Sequence, residues 1–465
     1  MKKYLKIAGF GSMAAIIVMM IVATFLEKLN GSPWAFSHVY HNPVFMALWG
    51  IAAICGLWYI ISEGELRKKW ATVLLHIASA VILAGALITH LSGQEGQVRL
   101  DPGVTVSQWV MEDGTVKELP DHMTLKEFEI DSYPGSRMPM DYRSNIIVGV
   151  GAEAYPLVIS MNKIGKIDGY RFYQSDYDGD SSILMVVRDP WGVGVTYLGY
   201  ILLLAGLLGF FFQRESGYRS AIRRLAESEA QARKFPPKAS LILRIAAGAL
   251  LAYLTFALGR SWVISGHAPF VGSYAVMMVM AWLSALAMLI LGRRFPAIFL
   301  PGFLLAFFTM LLAFRAGAES SHAPLAPVLR SPLLAIHVLS MMMSYTLFGL
   351  AAIMGIMGLC RKESADRLQN LSLTALYPGV FLLTFGTFIG AVWANISWGS
   401  YWAWDPKETW ALITLLVYLM PLQGRGLKAF RNPRIFHIYA IIAFLSVLIT
   451  YFGVNLILGG MHSYS

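Results

Sequence analysis

The chain has 465 residues, of which 57% are hydrophobic and 14% charged, and a mean hydropathy of +0.58. A soluble domain carries about a quarter charged residues, so this composition excludes an ordinary soluble enzyme and points to a membrane protein. The net charge of +10 is no nucleic-acid signal, because the basic residues sit in short loops between apolar runs, where they set membrane orientation.

In chain order, apolar runs predict about eleven transmembrane helices, near 5–27, 44–62, 71–91, 193–212, 240–258, 272–292, 296–314, 332–359, 374–394, 409–422 and 436–458. The first has no small-residue cleavage site after it and reads as a retained span rather than a signal peptide. Lys2, Lys3, Arg67, Lys68, Lys69, the basic cluster 214–238, Arg293, Arg294, Arg361, Lys362, Arg425, Lys428, Arg431 and Arg434 all fall in alternate loops. That bias predicts a cytoplasmic N-terminus and, with an odd number of spans, an extracytoplasmic C-terminus.

Between the third and fourth spans, residues 92–192 read as a small β-rich domain on the outer side. Its cues are period-two runs such as Asn145 to Val148 and Ile183 to Val187, with turn signals at Asp113-Gly114, Pro134-Gly135 and Asp178-Gly179. The charged segment 213–239 reads as a cytoplasmic linker. The expected fold is therefore an all-α polytopic membrane protein with one extracytoplasmic β domain. Its parts are 1–212, the linker 213–239 and 240–465. Cys55 and Cys360 lie in or at the end of apolar runs, so no disulfide framework is implied. There is no C-x-x-C-H, no Walker A and no zinc-spaced cluster.

The chemistry concentrates in Trp393 to Trp410. Trp398, Trp402, Trp404 and Trp410 fall within thirteen residues, with Gly399 among them and the cluster Asp405-Pro406-Lys407-Glu408 at the same depth. An interfacial aromatic belt is the plainer account, but belts are scattered and need neither the glycine nor the charges. A platform of indoles beside fixed charges suits a large flat apolar ligand with polar edges, such as a porphyrin. His337 lies five residues into its span, about 7–8 Å below the outer end. His462 is near the C-terminus on the same side. Two imidazoles can bind heme iron from both faces.

The run Trp398-Gly-Ser-Tyr-Trp-Ala-Trp-Asp-Pro-Lys-Glu-Thr-Trp410 resembles the tryptophan-rich WWD signature of CcsA-type cytochrome c assembly proteins. Ser265 to Pro269, Ile336 to Tyr345 and Tyr451 to Tyr464 agree with the same family, so the resemblance covers about 240–465. Leu119-Pro120, Tyr142 to Ser144 and Gly169 to Ser175 are similar to a short ResB-type partner. The whole chain thus resembles a fused ResB–CcsA cytochrome c synthase of the inner membrane.

That resemblance implies heme b as substrate and bound ligand. His337 and His462 are then the outer iron ligands and catalytic residues. Trp398, Trp402, Trp404, Asp405 and Trp410 form the heme platform, and His76 is an inner-side ligand. The family places another histidine at the inner end of the span after the WWD segment, where this chain has Gln423; amide groups ligate iron poorly. His437 is the alternative second ligand there, and an inner site with one histidine or none stays open. His38, His41, His90, His122, His267 and His322 are assigned no ligand role. The implied partners are an apocytochrome c bearing C-x-x-C-H, an extracytoplasmic thiol–disulfide reductant and membrane lipid. A heme exporter without ligation activity and a heme-bearing respiratory subunit are the competing expectations.

Overall fold

The computed structural model describes residues 2–111, 113–231, 235–317, 324–423 and 427–459. His462 and His322 lie outside the described residues.

The helices are α1 (Lys2–Asn30), α2 (Ser32–Ala35), α3 (Pro43–Ser62), α4 (Gly64–Arg67), α5 (Trp70–Ser92), α6 (Gly192–Phe212), α7 (Gly217–Gln231), α8 (Pro237–Ser265), α9 (Ser273–Gly292), α10 (Phe299–Ala316), α11 (Pro332–Cys360), α12 (Ala365–Trp398), α13 (Pro406–Leu422) and α14 (Pro433–Leu448). A π-helix, Ile449–Leu458, prolongs α14. Among the described residues, ten helices are long and apolar enough to cross a membrane. Ten rather than eleven reach that length because α13, with 17 residues, is about 25 Å long against a hydrocarbon core of about 30 Å. Exposed Val263, Phe256 and Phe314 on α8 and α10 are side chains that lipid would cover.

Between α5 and α6 stand eight antiparallel strands: β1 (Gln94–Leu100), β2 (Thr105–Met111), β3 (Val116–Ser132), β4 (Pro139–Val148), β5 (Tyr155–Ser160), β6 (Gly165–Ile167), β7 (Tyr170–Asp178) and β8 (Ser181–Arg188). Their order is β5-β4-β3-β2-β1-β8-β7-β6. The edge strands β5 and β6 are joined by only four residues, 161–164, so the sheet curls until its edges meet. Period-two alternation turns Val98, Leu100, Trp109, Leu125, Ile146, Phe172, Leu184 and Val186 inward as its core. The outward face of β7 and β8 is left to meet the helices.

The segment expected as a linker is folded. In α7, Ala221 and Leu225 are fully buried, and Glu229 accepts a two-pronged pair from Arg367 of α12 (Nε–Oε1 2.5 Å, Nη2–Oε2 2.9 Å). The apolar stripe of an amphipathic helix has found a partner, so the segment 217–231 braces the two halves of the chain.

Helices α5 and α6 pack backbone to backbone. Gly192, Gly199 and Gly206 recur every seven residues, two helical turns, and face Thr89, Ile82 and Leu75. On the other helix, a Cβ on Gly85 would collide with Thr196 Oγ1 and lie 2.8 Å from its backbone nitrogen. Gly85→Val is expected to destabilise the protein by about 1–3 kcal/mol through overpacking. The measurement is the thermal midpoint of the detergent-purified protein, and an unchanged midpoint counts against this packing.

Candidate functional site

The sheet sits on one end of the helix bundle, where the tryptophan loop and the start of α11 with His337 also lie. Gly399 terminates α12 with a left-handed φ of 82°. A Cβ there would meet the Tyr173 ring at 3.0 Å, Val187 at 3.1 Å and Met185 at 3.2 Å, so only glycine lets the loop touch the sheet. Around it, Arg171 Nη1 donates to Asn395 Oδ1 (3.3 Å), Ser397 Oγ to Asn162 Oδ1 (3.3 Å) and Asn162 Nδ2 to the Pro327 carbonyl (3.1 Å).

The tryptophans meet different neighbours. Trp393 and Trp398 meet edge to face at 4.8 Å and pack with Val328, Leu334 and Val338 at the start of α11. Trp404 turns the other way and stacks on Tyr40 at 4.6 Å, with Phe45 on its edge. Trp402 meets Trp404 at 5.8 Å, and its indole N–H is buried without a hydrogen-bond partner among the described residues. Trp404 also has a φ of 51°, a conformation costing about 1–3 kcal/mol in a bulky residue and typical of functional sites. Trp410 is 3% exposed and donates from Nε1 to Thr24 Oγ1 of α1 (3.2 Å). Its place is in the packing between α1 and α13.

The Asp405-Pro406-Lys407-Glu408 cluster starts α13. Asp405 is the N-cap and accepts from the Lys407 amide (2.8 Å), Pro406 follows it, and Glu408 accepts from the Ala403 amide (2.8 Å). These charges, read in sequence as ligand contacts, satisfy a buried helix start. Lys407 Nζ donates to Asn455 Oδ1 (3.1 Å) of the π-helix. The described chain therefore ends beside the tryptophan loop, shortly before His462. A ten-residue π-helix is rare, and π-distortions favour functional sites.

His337 occupies a notch in α12. Its Nδ1 lies 2.7 Å from the Gly386 carbonyl, and a Cβ on Gly390 would sit 2.5 Å from that nitrogen. A carbonyl only accepts, so Nδ1 carries the proton and Nε2 the lone pair. This is the tautomer of an imidazole whose second nitrogen ligates a metal, oriented by its first. His76 on α5 is arranged alike, with Nδ1 donating to the Thr72 carbonyl (2.9 Å) and its ring over Gly56 of α3.

His437 is the reverse. It is fully buried, its Nε2 donates to the Ala365 carbonyl (3.0 Å), and its ring fills the space above Gly358. Helix α5 packs on α6 and α3, whereas α14 packs on α11 and α13, so His76 and His437 stand on different faces of the bundle. Gln423 caps the end of α13. Sequence reading passed over Tyr40, Tyr173 and Arg171, which touch the tryptophan loop from other elements. Their signal was present only as aromatic and basic residues within the stretches 34–45 and 169–175. It also left His41 and His90 unassigned, and their rings lie 5.1 Å apart.

Two family models match the chain: "Cytochrome C assembly protein" over residues 270–462 and "ResB-like family" over residues 59–187. The chain is 33% identical over 251 residues to the cytochrome c biogenesis protein CcsA of Parasynechococcus marenigrum, covering 82% of that protein and 45% of this one. The chain belongs to the CcsA family.

It carries a ResB-like part in the same polypeptide, and it is a multi-pass membrane protein of cytochrome c biogenesis. CcsA of Chlamydomonas reinhardtii is 36% identical over 245 residues, 69% of that protein and 49% of this chain. Protein NrfI of Wolinella succinogenes is 38% identical over 253 residues, half of this chain but only 27% of NrfI. Within this CcsA protein, His437 has the geometry of a tie between helices. His437→Ala is expected to cost about 1–3 kcal/mol of stability, as for a lost buried hydrogen bond, and to leave bound-heme absorbance unchanged. A bleached or shifted Soret band in the folded variant would restore His437 as a ligand.

Proposed function

We propose that the chain is a cytochrome c synthase, which brings heme b to the sheet end of the bundle and attaches it to apocytochromes c. The observation that carries this reading is the orientation of His337. Its Nδ1–H is fixed by the Gly386 carbonyl, so Nε2 presents its lone pair at the end of the bundle that also holds Trp393 and Trp398. Family membership supplies the cytochrome c context.

In this reading residues 1–212 are the ResB-like part, 213–239 the cytoplasmic connection and 240–465 the CcsA part. The sheet and the tryptophan loop face the extracytoplasmic side, with the N-terminus inside, an orientation that the distribution of Lys and Arg among the loops supports. His76 takes heme on the inner half of the bundle. His337 and His462 then hold the iron at the outer face, while Trp398, Trp402 and Trp404 bound the macrocycle and Asp405 and Trp410 hold the loop in place.

The apocytochrome presents C-x-x-C-H, and its histidine replaces one of the two ligands. Each cysteine thiol adds across a vinyl group: sulfur bonds to the carbon next to the ring, the proton goes to the terminal carbon, and no electrons are exchanged with a third party. The thiols must arrive reduced, which calls for a thiol–disulfide partner. Orientation is the main contribution of the protein, since fixing both reactants removes about 7–11 kcal/mol of the bimolecular barrier.

The purified protein is expected to show a bis-imidazole Soret spectrum. With an apocytochrome, in a host lacking its own assembly genes, it should yield cytochrome that keeps its heme in a denaturing gel. His337→Ala should abolish that product, with partial return on added imidazole. Covalent heme at wild-type level in His337→Ala sinks the ligand assignment; bound heme with no covalent product in the wild type favours a heme exporter instead.

A further inference from the structure

Arg171 is a half-buried cation on the face of the sheet that meets the tryptophan loop. Two other arginines of the sheet have carboxylates, Arg99 with Asp101 and Asp178 and Arg143 with Glu129 and Asp131, while the exposed Arg188 lies over Tyr170 and donates to its hydroxyl. Among the described residues Arg171 has none within ion-pair distance. Glu95, on the same face, stands two strands away through Val187, about 9.6 Å at the usual strand spacing. The guanidinium donates instead to the neutral Asn395 amide oxygen.

Two phenols lie beside it. Tyr173 is 1% exposed and Tyr401 is half-buried; both hydroxyls lie against the Arg171 guanidinium in loose geometry, and that of Tyr401 also leans on Tyr197. Burial pushes both phenols up and keeps them protonated as donors, although Arg171 pulls each of them down. A half-buried guanidinium and two phenol groups converge on one place, and the only acceptors they meet there are neutral oxygens, of Asn395, of the phenols themselves and of Tyr197, with no carboxylate among them. Hydrogen bonds to an ionised acceptor are stronger than those to a neutral one, so the arrangement suits an oxyanion brought from outside.

The surroundings favour a flat one. Below Tyr401 stand Tyr197 and Tyr200 of α6, at 5.6 and 6.1 Å, and Phe388 of α12 meets Tyr200 at 4.9 Å. Helices α6 and α12 face each other across these rings, on the seam between the ResB-like and CcsA parts. Asn395 is five residues beyond Gly390, the seat of His337, about 7.5 Å along α12 and on its α6-facing side.

We propose that Arg171, with the Tyr173 and Tyr401 hydroxyls, binds a carboxylate of the porphyrin. This deepens the synthase reading and rests on it. Holding the macrocycle by its propionate edge at the sheet turns the vinyl edge away from the sheet, toward an incoming apocytochrome. Arg171 thereby sets the orientation in which the two thioethers form.

The test is spectroscopic titration of the full-length protein, purified in detergent from heme-deficient cells, with hemin and with hemin dimethyl ester. The wild type is expected to bind hemin at least about tenfold more tightly than the ester, the scale of a charge-assisted hydrogen bond. Arg171→Gln should bring hemin down to the ester's affinity and leave the ester within about twofold of its wild-type value, while Arg171→Lys regains part of the difference. A wild type that binds both forms alike, or an Arg171→Gln protein that weakens both equally or neither, overturns the inference and leaves the synthase reading standing. A wild type that takes up neither form removes both.

Discussion

The approach of the sheet to the tryptophan loop at Gly399 is the contact on which the site depends. There the helix end, the outward face of β7 and β8, and the loop meet without room for a methyl group. Close packing of this kind is bistable rather than elastic, so a side chain at 399 displaces the sheet as a whole. Displacing the sheet would uncouple Arg171 from Asn395 and Asn162 from Ser397, the polar ties that register the ResB-like domain on the CcsA helices. The two parts of the chain share one site because glycine stands at this position.

From that contact the loop 399–405 has little freedom. It leaves α12 through a left-handed residue and enters α13 through the Asp405 cap, so both ends are fixed by backbone hydrogen bonds. In between, alternate residues are sent to different elements: Tyr401 to α6, Trp404 to Tyr40 and Phe45. A short span with several obligatory contacts explains why Trp404 is held at positive φ, since no relaxed conformation reaches its partners. The density of tryptophan reflects three separate anchorages as well as a surface for a ligand.

The large features were legible in the sequence because they follow from local periodicity. Apolar runs of about twenty residues gave the spans, and alternation with Asp-Gly and Pro-Gly turns gave the sheet. What could not be read was partner choice. Trp398 and Trp410 have the same local signal, yet one faces α11 and the other fills a gap against Thr24 on the first helix, nearly four hundred residues away in sequence. Asp405 and Glu408 read as ligand charges, but a helix start consumes them. The charged segment 213–239 read as a tether because its apolar stripe is short, and only α12 reveals what the stripe packs on. His437 and His337 are each a lone histidine near the start of an apolar span, told apart in sequence only by the family resemblance; which nitrogen meets a carbonyl is set by tertiary packing.

The same distinction bears on the inner half of the bundle. His76 has its Nδ1–H tied to its own helix and lies over a glycine, so its lone-pair nitrogen is presented between α5 and α3. Gln423 closes the end of α13, and an amide oxygen is a weak ligand for iron. His437 is enclosed at Gly358 on another face of the bundle, so among the described residues it stands apart from His76. On the synthase reading, heme at His76 is then held by one strong bond. The sheet end of the bundle has His337, the indoles and the groups around Arg171. A ligand shifts toward the place that holds it more tightly, so on the synthase reading the richer set of groups at the sheet end favours transfer toward it.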